Sequence, residues 1–215
     1  MFIPIAEESD LIHELGDWVI GEAIAALETW PGQYVSVNFS PRQFRRHNFV
    51  AHVVEKVVSA GVAPGRFQIE ITETAIFDNV ERAAEILFKL RQMGFRIALD
   101  DFGTGYSSLY NIRRFALDCL KIDRSFVDGM GRERESAAIV HSVIHLGRSL
   151  GLEVVAEGVE TAAQLQALRV AGCSHMQGYH LCRPIHAEDA LVLAERGTII
   201  AQDAELETAG NGTQG

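Results

Sequence analysis

Polar side chains stand at the ends of short apolar runs throughout this sequence. Asn38 follows YVSV, Glu70 lies in FQIEIT, Asp100 and Asp101 follow RIAL, Lys121 lies in CLKID, Glu157 follows EVVA, and Gln177 precedes Gly178. The oxygens of Asn, Asp and Glu suit Mg²⁺ or Mn²⁺ better than structural zinc. Carboxylates gathered into one pocket would repel unless cations lay between them. The adjacent Asp100 and Asp101, one able to bridge, suggest two ions. A pair of ions can orient an attacking water and stabilise the leaving oxygen of an in-line phosphodiester displacement. Lys121 also admits a different chemistry, Schiff-base formation in a barrel aldolase. Taken singly, each residue has an ordinary reading: Asp100 could cap a loop, Lys121 could form an ion pair, and Gln177 could satisfy a backbone group. Their recurrence at six run ends favours a shared site.

Such a site requires elements that bring distant residues together. Six runs read as buried strands: residues 34–38, 67–71, 96–100, 119–122, 153–156 and 175–177. Most are apolar or β-branched. Helical spacing lies between them, with Ala83, Ala84, Leu87 and Leu90 on one face of residues 80–93 and Val140, Ile144 and Leu150 on one face of 137–150. Ahead of the first strand, Leu11, Leu15, Trp18, Val19, Ala23, Ala26 and Leu27 predict a long amphipathic helix. Thr161 and Gln164 fit a capping box that fixes a helix start just after Glu157. Alternating strands and helices imply a parallel sheet, and units of this length suit a TIM-like (β/α)8 barrel with about six units present. In such a barrel the carboxyl ends of the strands converge on one face, where side chains scattered along the chain meet.

The 215 residues, 47% of them hydrophobic, suffice for one domain with a substantial core. It is expected over residues 1–200, followed by a disordered tail at 201–215 that is polar and glycine-rich. A net charge of −10 argues against nonspecific binding to DNA or anionic membranes. It does not argue against a phosphate-bearing substrate, because bound divalent cations invert the local field. Three cysteines without a CxxC pair, and no signal peptide or membrane-length apolar run, point to the cytoplasm.

The motifs resemble those of the EAL domain family. DDFGTGYSSL at 100–109 is similar to the family's metal-binding aspartates and the loop after them. VNFSPRQF at 37–44, EITET at 70–74, LKIDRSFV at 120–127, AEGVET at 156–161 and QGYHLCRP at 177–184 follow in order. This resemblance covers nearly all of residues 2–190. It implies hydrolysis of cyclic di-GMP to linear pGpG. Asn38, Glu70 and Asp100 would hold one ion, Asp100 bridging to a second held by Asp101 and Glu157. Lys121 would position or activate water. Glu73 would anchor the loop at 103–107, Gln177 would lie near the second ion or the substrate, and Tyr179 would contact substrate. Family habit adds a homodimer and an upstream regulatory, GGDEF or sensory domain.

The resemblance also contains a departure. Two further strands, the second carrying Glu-Ala-Leu and a nearby Arg, precede this region in the family, and neither motif is present here. Glu22-Ala23-Ile24 lies inside the first long helix and is not their equivalent. The expectation is therefore an N-terminally truncated domain, a piece of a longer protein and a poor enzyme in isolation. A cyclic di-GMP receptor without catalysis is the alternative.

Overall fold

The computed structural model describes residues 2–104 and 112–196. The expected tail at 201–215 and most of the loop at 103–107 lie outside the described residues.

The strands β1 (Val35–Phe39), β2 (Phe67–Thr72), β3 (Arg96–Phe102), β4 (Cys119–Ile122), β5 (Glu153–Ala156) and β6 (His175–Met176) form one parallel sheet in chain order. Each parallel step requires a crossover; helices lie in those after β1, β2, β4 and β5, and the one after β3 passes through residues outside the described ones. The short α1 (Ile3–Glu7) and the long α2 (Leu11–Thr29) precede β1. They are followed by α3 (Pro41–Phe44) and α4 (Phe49–Ser59), then α5 (Glu73–Phe77) and α6 (Val80–Gln92) after β2. After β4 come α7 (Arg124–Gly129) and α8 (Arg134–Leu150), then α9 (Ala162–Ala171) after β5 and α10 (Ala187–Arg196) after β6. These are six β/α units of a TIM-like barrel. Within the described sheet, β1 and β6 are its two edges.

β4 is buried at every position and β2 at all but its last, because residues on both faces of a barrel strand are covered. Helices press Leu87 and Leu90 of α6 and Val140 and Ile144 of α8 onto that sheet. Beneath α3 and α4, Phe49 meets Phe39 and Phe44 edge-to-face, at centroid separations of 5.1 and 5.5 Å. Both capping-box bonds of Thr161 and Gln164 are formed. A second capping box, Ser40 with Gln43, starts α3 directly after β1 and was legible in the sequence as S-x-x-Q.

The long amphipathic helix expected ahead of β1 forms as α2. The inward face of α2 runs through Ile12, Ile20, Ala23 and Leu27, whereas Leu11 and Trp18 are exposed. Among the described residues, no helix is long and apolar enough to cross a membrane.

Candidate active site

At the carboxyl ends of the strands, four side chains meet. Lys121 Nζ of β4 lies 2.6 Å from Glu70 Oε2 of β2, 2.8 Å from Glu157 Oε1 just beyond β5, and 3.2 Å from Asp100 Oδ1 of β3. Glu70, Asp100 and Lys121 are buried. Asn38 of β1 lies against the same oxygens. With its amide nitrogen toward them, it donates to Glu70 Oε2 at 3.3 Å and to Asp100 Oδ2 at 3.1 Å. Rotated by half a turn, the same amide would offer its oxygen to a cation.

Burial opposes the charge on Lys121, but Asp100 and Glu70, with hydrogen bonds to Glu157 and Glu70, hold its pKa well above the ordinary lysine value. A Schiff-base lysine needs the opposite, a neutral amine. The aldolase reading is therefore set aside. Burial raises the Glu157 carboxyl, with the Lys121 hydrogen bond and charge pulling the other way.

Asp100 and Asp101 sit where the β3–β4 register breaks, between Leu99 and Phe102. Asp101 takes φ +53°, and its N–H donates to Asp100 Oδ1 at 3.0 Å. A register irregularity of this kind re-aims side chains at a strand end. Asp101 makes no ion pair with Lys121; its carboxyl is raised first by burial, then by Asp100 and Asp123, while Lys121 lowers it.

Glu73, at the start of α5, is buried and accepts the Gly103 N–H at 3.1 Å. Gly103 has φ +103°, and a Cβ there would lie 2.8 Å from Phe126 Cε2, so both its backbone conformation and its neighbour select glycine. The remainder of the expected anchored loop, Gly105 to Ser107, is outside the described residues.

Gln177 and Tyr179 follow β6 and are exposed. The Gln177 backbone bridges Ala156 and Val159, the N–H donating to Ala156 at 2.8 Å and the carbonyl accepting from Val159 at 3.0 Å. Gly178 allows this approach, since a Cβ would lie 2.2 Å from the Val159 backbone. The Tyr179 ring lies under the Arg183 guanidinium, 5.0 Å from its centroid.

The donor set of Asn38, Glu70, Asp100 and Glu157 is hard and anionic, the kind that Mg²⁺ and Mn²⁺ take. Lys121 stands among three of these groups in the manner of a cation. Among the described residues, no three His, Cys, Asp or Glu side chains are arranged as they stand to hold a metal ion; the Lys121 ammonium lies between the carboxylates. Beneath the cluster, the buried Gln68 links the exposed Ser36 and the half-buried Arg96 in a polar chain that the sequence pattern does not announce. The sequence signal is Gln68 alone, a polar residue two before Glu70 and hence on the same strand face. Cys119 is buried in β4, and burial first, then Glu153 and Glu70, push its thiol up to about 12, away from the thiolate form.

A parallel β/α barrel with carboxylates and a lysine at its strand ends defines a class of domain with its site at the barrel mouth. The chain belongs to the EAL domain family, whose match spans residues 1–184. It is 45% identical over 193 residues to an uncharacterized signaling protein of Caulobacter vibrioides, covering 89% of this chain and 24% of that protein. It is 39% identical over 195 residues to the bifunctional diguanylate cyclase/cyclic di-GMP phosphodiesterase MucR of Pseudomonas aeruginosa, covering 88% of this chain and 28% of MucR. A solved structure of the PaMucR phosphodiesterase in complex with c-di-GMP superposes with a TM-score of 0.85 at 39% identity, covering 88% of this chain and 78% of that one. The chain thus spans about a quarter of the length of these curated relatives.

Proposed function

We propose that this domain hydrolyses cyclic di-GMP to linear pGpG with the help of two Mg²⁺ or Mn²⁺ ions. The observation that carries the reading is the junction of Glu70, Asp100 and Glu157 around Lys121. It is supported by the phosphodiesterase named among the relatives and by the c-di-GMP complex among the structural neighbours.

In this reading Asn38, Glu70 and Asp100 would hold one ion, and Asp100, Asp101 and Glu157 would hold the other. Bound ions would supply Lewis acidity for the attacking water and the leaving oxygen. The chain's own residues do the remainder. Lys121, whose three N–H groups are directed at Glu70, Asp100 and Glu157, would turn donors to a water or phosphoryl oxygen once cations took those carboxylates. Glu73 fixes the turn at Gly103 that follows Asp100 and Asp101. Gln177 and Tyr179 lie on the turn after β6, where Tyr179 offers a ring face to a guanine base. Water oxygen joins phosphorus as the phosphorus–O3′ bond breaks, which leaves the phosphate on the 5′ end of pGpG.

The proposal extends to a cytoplasmic signalling protein, a homodimer, and an upstream regulatory, GGDEF or sensory domain. The test is to incubate the 215-residue chain with cyclic di-GMP and Mn²⁺ and to separate the nucleotides chromatographically. Metal-dependent pGpG supports the reading. Tight binding with no turnover, by this chain and by a version extended upstream, transfers it to a receptor.

A further inference from the structure

One layer below the site, the barrel interior carries an unusual polar row. Register places Ser36 of β1, Gln68 of β2 and Arg96 of β3 side by side, with Asn38 and Glu70 the next inward pair toward the carboxyl ends. Gln68 is 4% exposed, so both ends of its amide need partners. Its oxygen accepts from Arg96 Nε at 3.2 Å. Its nitrogen donates to Ser36 Oγ at 2.8 Å and, at the long limit of 3.5 Å, to Glu70 Oε1. Arg96 is itself fixed, donating to Glu153 Oε2 at 2.7 Å with its guanidinium 4.7 Å from the Tyr34 ring centroid.

The two ends of an amide have nearly the same shape, so packing alone cannot set which end faces Glu70. Arg96 sets it: a guanidinium has only donors, so the Gln68 oxygen must face it and the amide N–H groups must face Glu70. The Glu70 carboxylate is then divided, with Oε1 turned toward the Gln68 donor below and Oε2 toward Lys121 above.

We propose that Gln68, locked by Arg96, is a positioning residue that holds Glu70 with Oε1 turned to the Gln68 amide and Oε2 turned to the Lys121 and Asn38 side, where a divalent cation would take Lys121's place. The inference rests on the metal-dependent reading of the site. Gln68 reaches neither substrate nor reacting atoms, so its loss acts on cation affinity and leaves substrate recognition alone.

The test is a Mn²⁺ titration of the full 215-residue chain as wild type, Gln68→Met, Arg96→Met and Ser36→Ala, followed by calorimetry without nucleotide. Outer partners of metal ligands typically contribute 10- to 100-fold in affinity. Gln68→Met, of similar volume, is expected to weaken Mn²⁺ binding about tenfold and to leave the KM for cyclic di-GMP unchanged at saturating Mn²⁺. Arg96→Met, which leaves Gln68 in place but frees its amide to turn, should weaken Mn²⁺ binding in the same direction, and it serves as the measurement if Gln68→Met does not fold. Ser36→Ala, which spares the Arg96–Gln68–Glu70 line, should stay within about twofold. Wild-type affinity in Gln68→Met or Arg96→Met overturns this proposal alone. Failure of the wild type to bind Mn²⁺ overturns the functional reading and this proposal with it.

Discussion

Lys121 Nζ lies 2.6 Å from Glu70 Oε2, joining β4 to β2 across the barrel interior past the intervening β3. The same ammonium reaches Asp100 and Glu157, so one buried cation offsets three carboxylates. Removing one partner of a buried ionic group typically costs about 3–5 kcal/mol, because the remaining charge is stranded. Lys121→Met is therefore expected to destabilise the metal-free chain by about that amount and to make its melting temperature rise more on Mn²⁺ addition than the wild type's does. Thermal melts with and without Mn²⁺ measure both. A Lys121→Met chain as stable as wild type without metal would contradict this account.

The turn after Asp101 provides a second prediction. Alanine at Gly103 would have to adopt a positive φ and also clash with Phe126. Left-handed backbone costs a non-glycine residue about 1–2 kcal/mol. Gly103→Ala should lower stability by at least that much and reduce turnover, as read by denaturant unfolding and nucleotide assay. Phe126→Leu in the Gly103→Ala background should recover part of the loss, since it relieves the clash while the φ cost persists.

Truncation of the loop anchor tests a different contact. Glu73→Ala leaves the part-buried Gly103 N–H without this acceptor, and loss of such a hydrogen bond costs about 0.5–1.5 kcal/mol. Glu73→Gln retains a carbonyl oxygen at the same place and should lose less. Equal losses in the two variants would show that the Glu73 charge, and not its role as acceptor, is what the fold uses.

Away from the site, Asp17 of α2 meets His52 Nε2 of α4 at 2.5 Å, with Lys56 Nζ at 3.5 Å. Burial works to raise the Asp17 carboxyl, but the hydrogen bond and charge of His52, followed by Lys56, outweigh it and hold the pKa below the ordinary carboxylate value. A lowered folded pKa contributes stability that is present above the unfolded value of about 3.9 and is lost as pH falls through the folded one. Because the pair is partly exposed, solvent screening limits it to about 0.5–1 kcal/mol. Asp17→Asn should lose that amount at neutral pH and converge with wild type in acid, as measured by urea unfolding across pH.

The strands were legible because each is an apolar run closed by a polar residue. Glu70, Asp100, Lys121 and Glu157 could be placed at the barrel mouth on that basis. The capping pair Thr161 and Gln164 was equally plain. Other features depend on pairing between segments, which no local pattern records. Nothing around Gln68 announces that Arg96 will stand beside it, since that neighbour is set by the β2–β3 register. The positive φ of Asp101 follows from a register break between strands, not from residue type. Of the apolar residues that predict α2, Ala23 and Leu27 are buried while Leu11 and Trp18 are exposed, because apolar residues fill more than one stripe of the helix and only the packed neighbours decide which is covered.

The central claim is hydrolysis at the Lys121 cluster, and its most direct measurement uses isotopic water. The 215-residue chain, and the same chain with Asp100→Asn, would be incubated with cyclic di-GMP and Mn²⁺ in oxygen-18 water and the products weighed by mass spectrometry. The account predicts pGpG carrying one heavy oxygen in its terminal phosphate from the wild type, with formation reduced at least about 100-fold by the substitution. Unlabelled product, or equal labelled product from the Asp100→Asn chain, would contradict it.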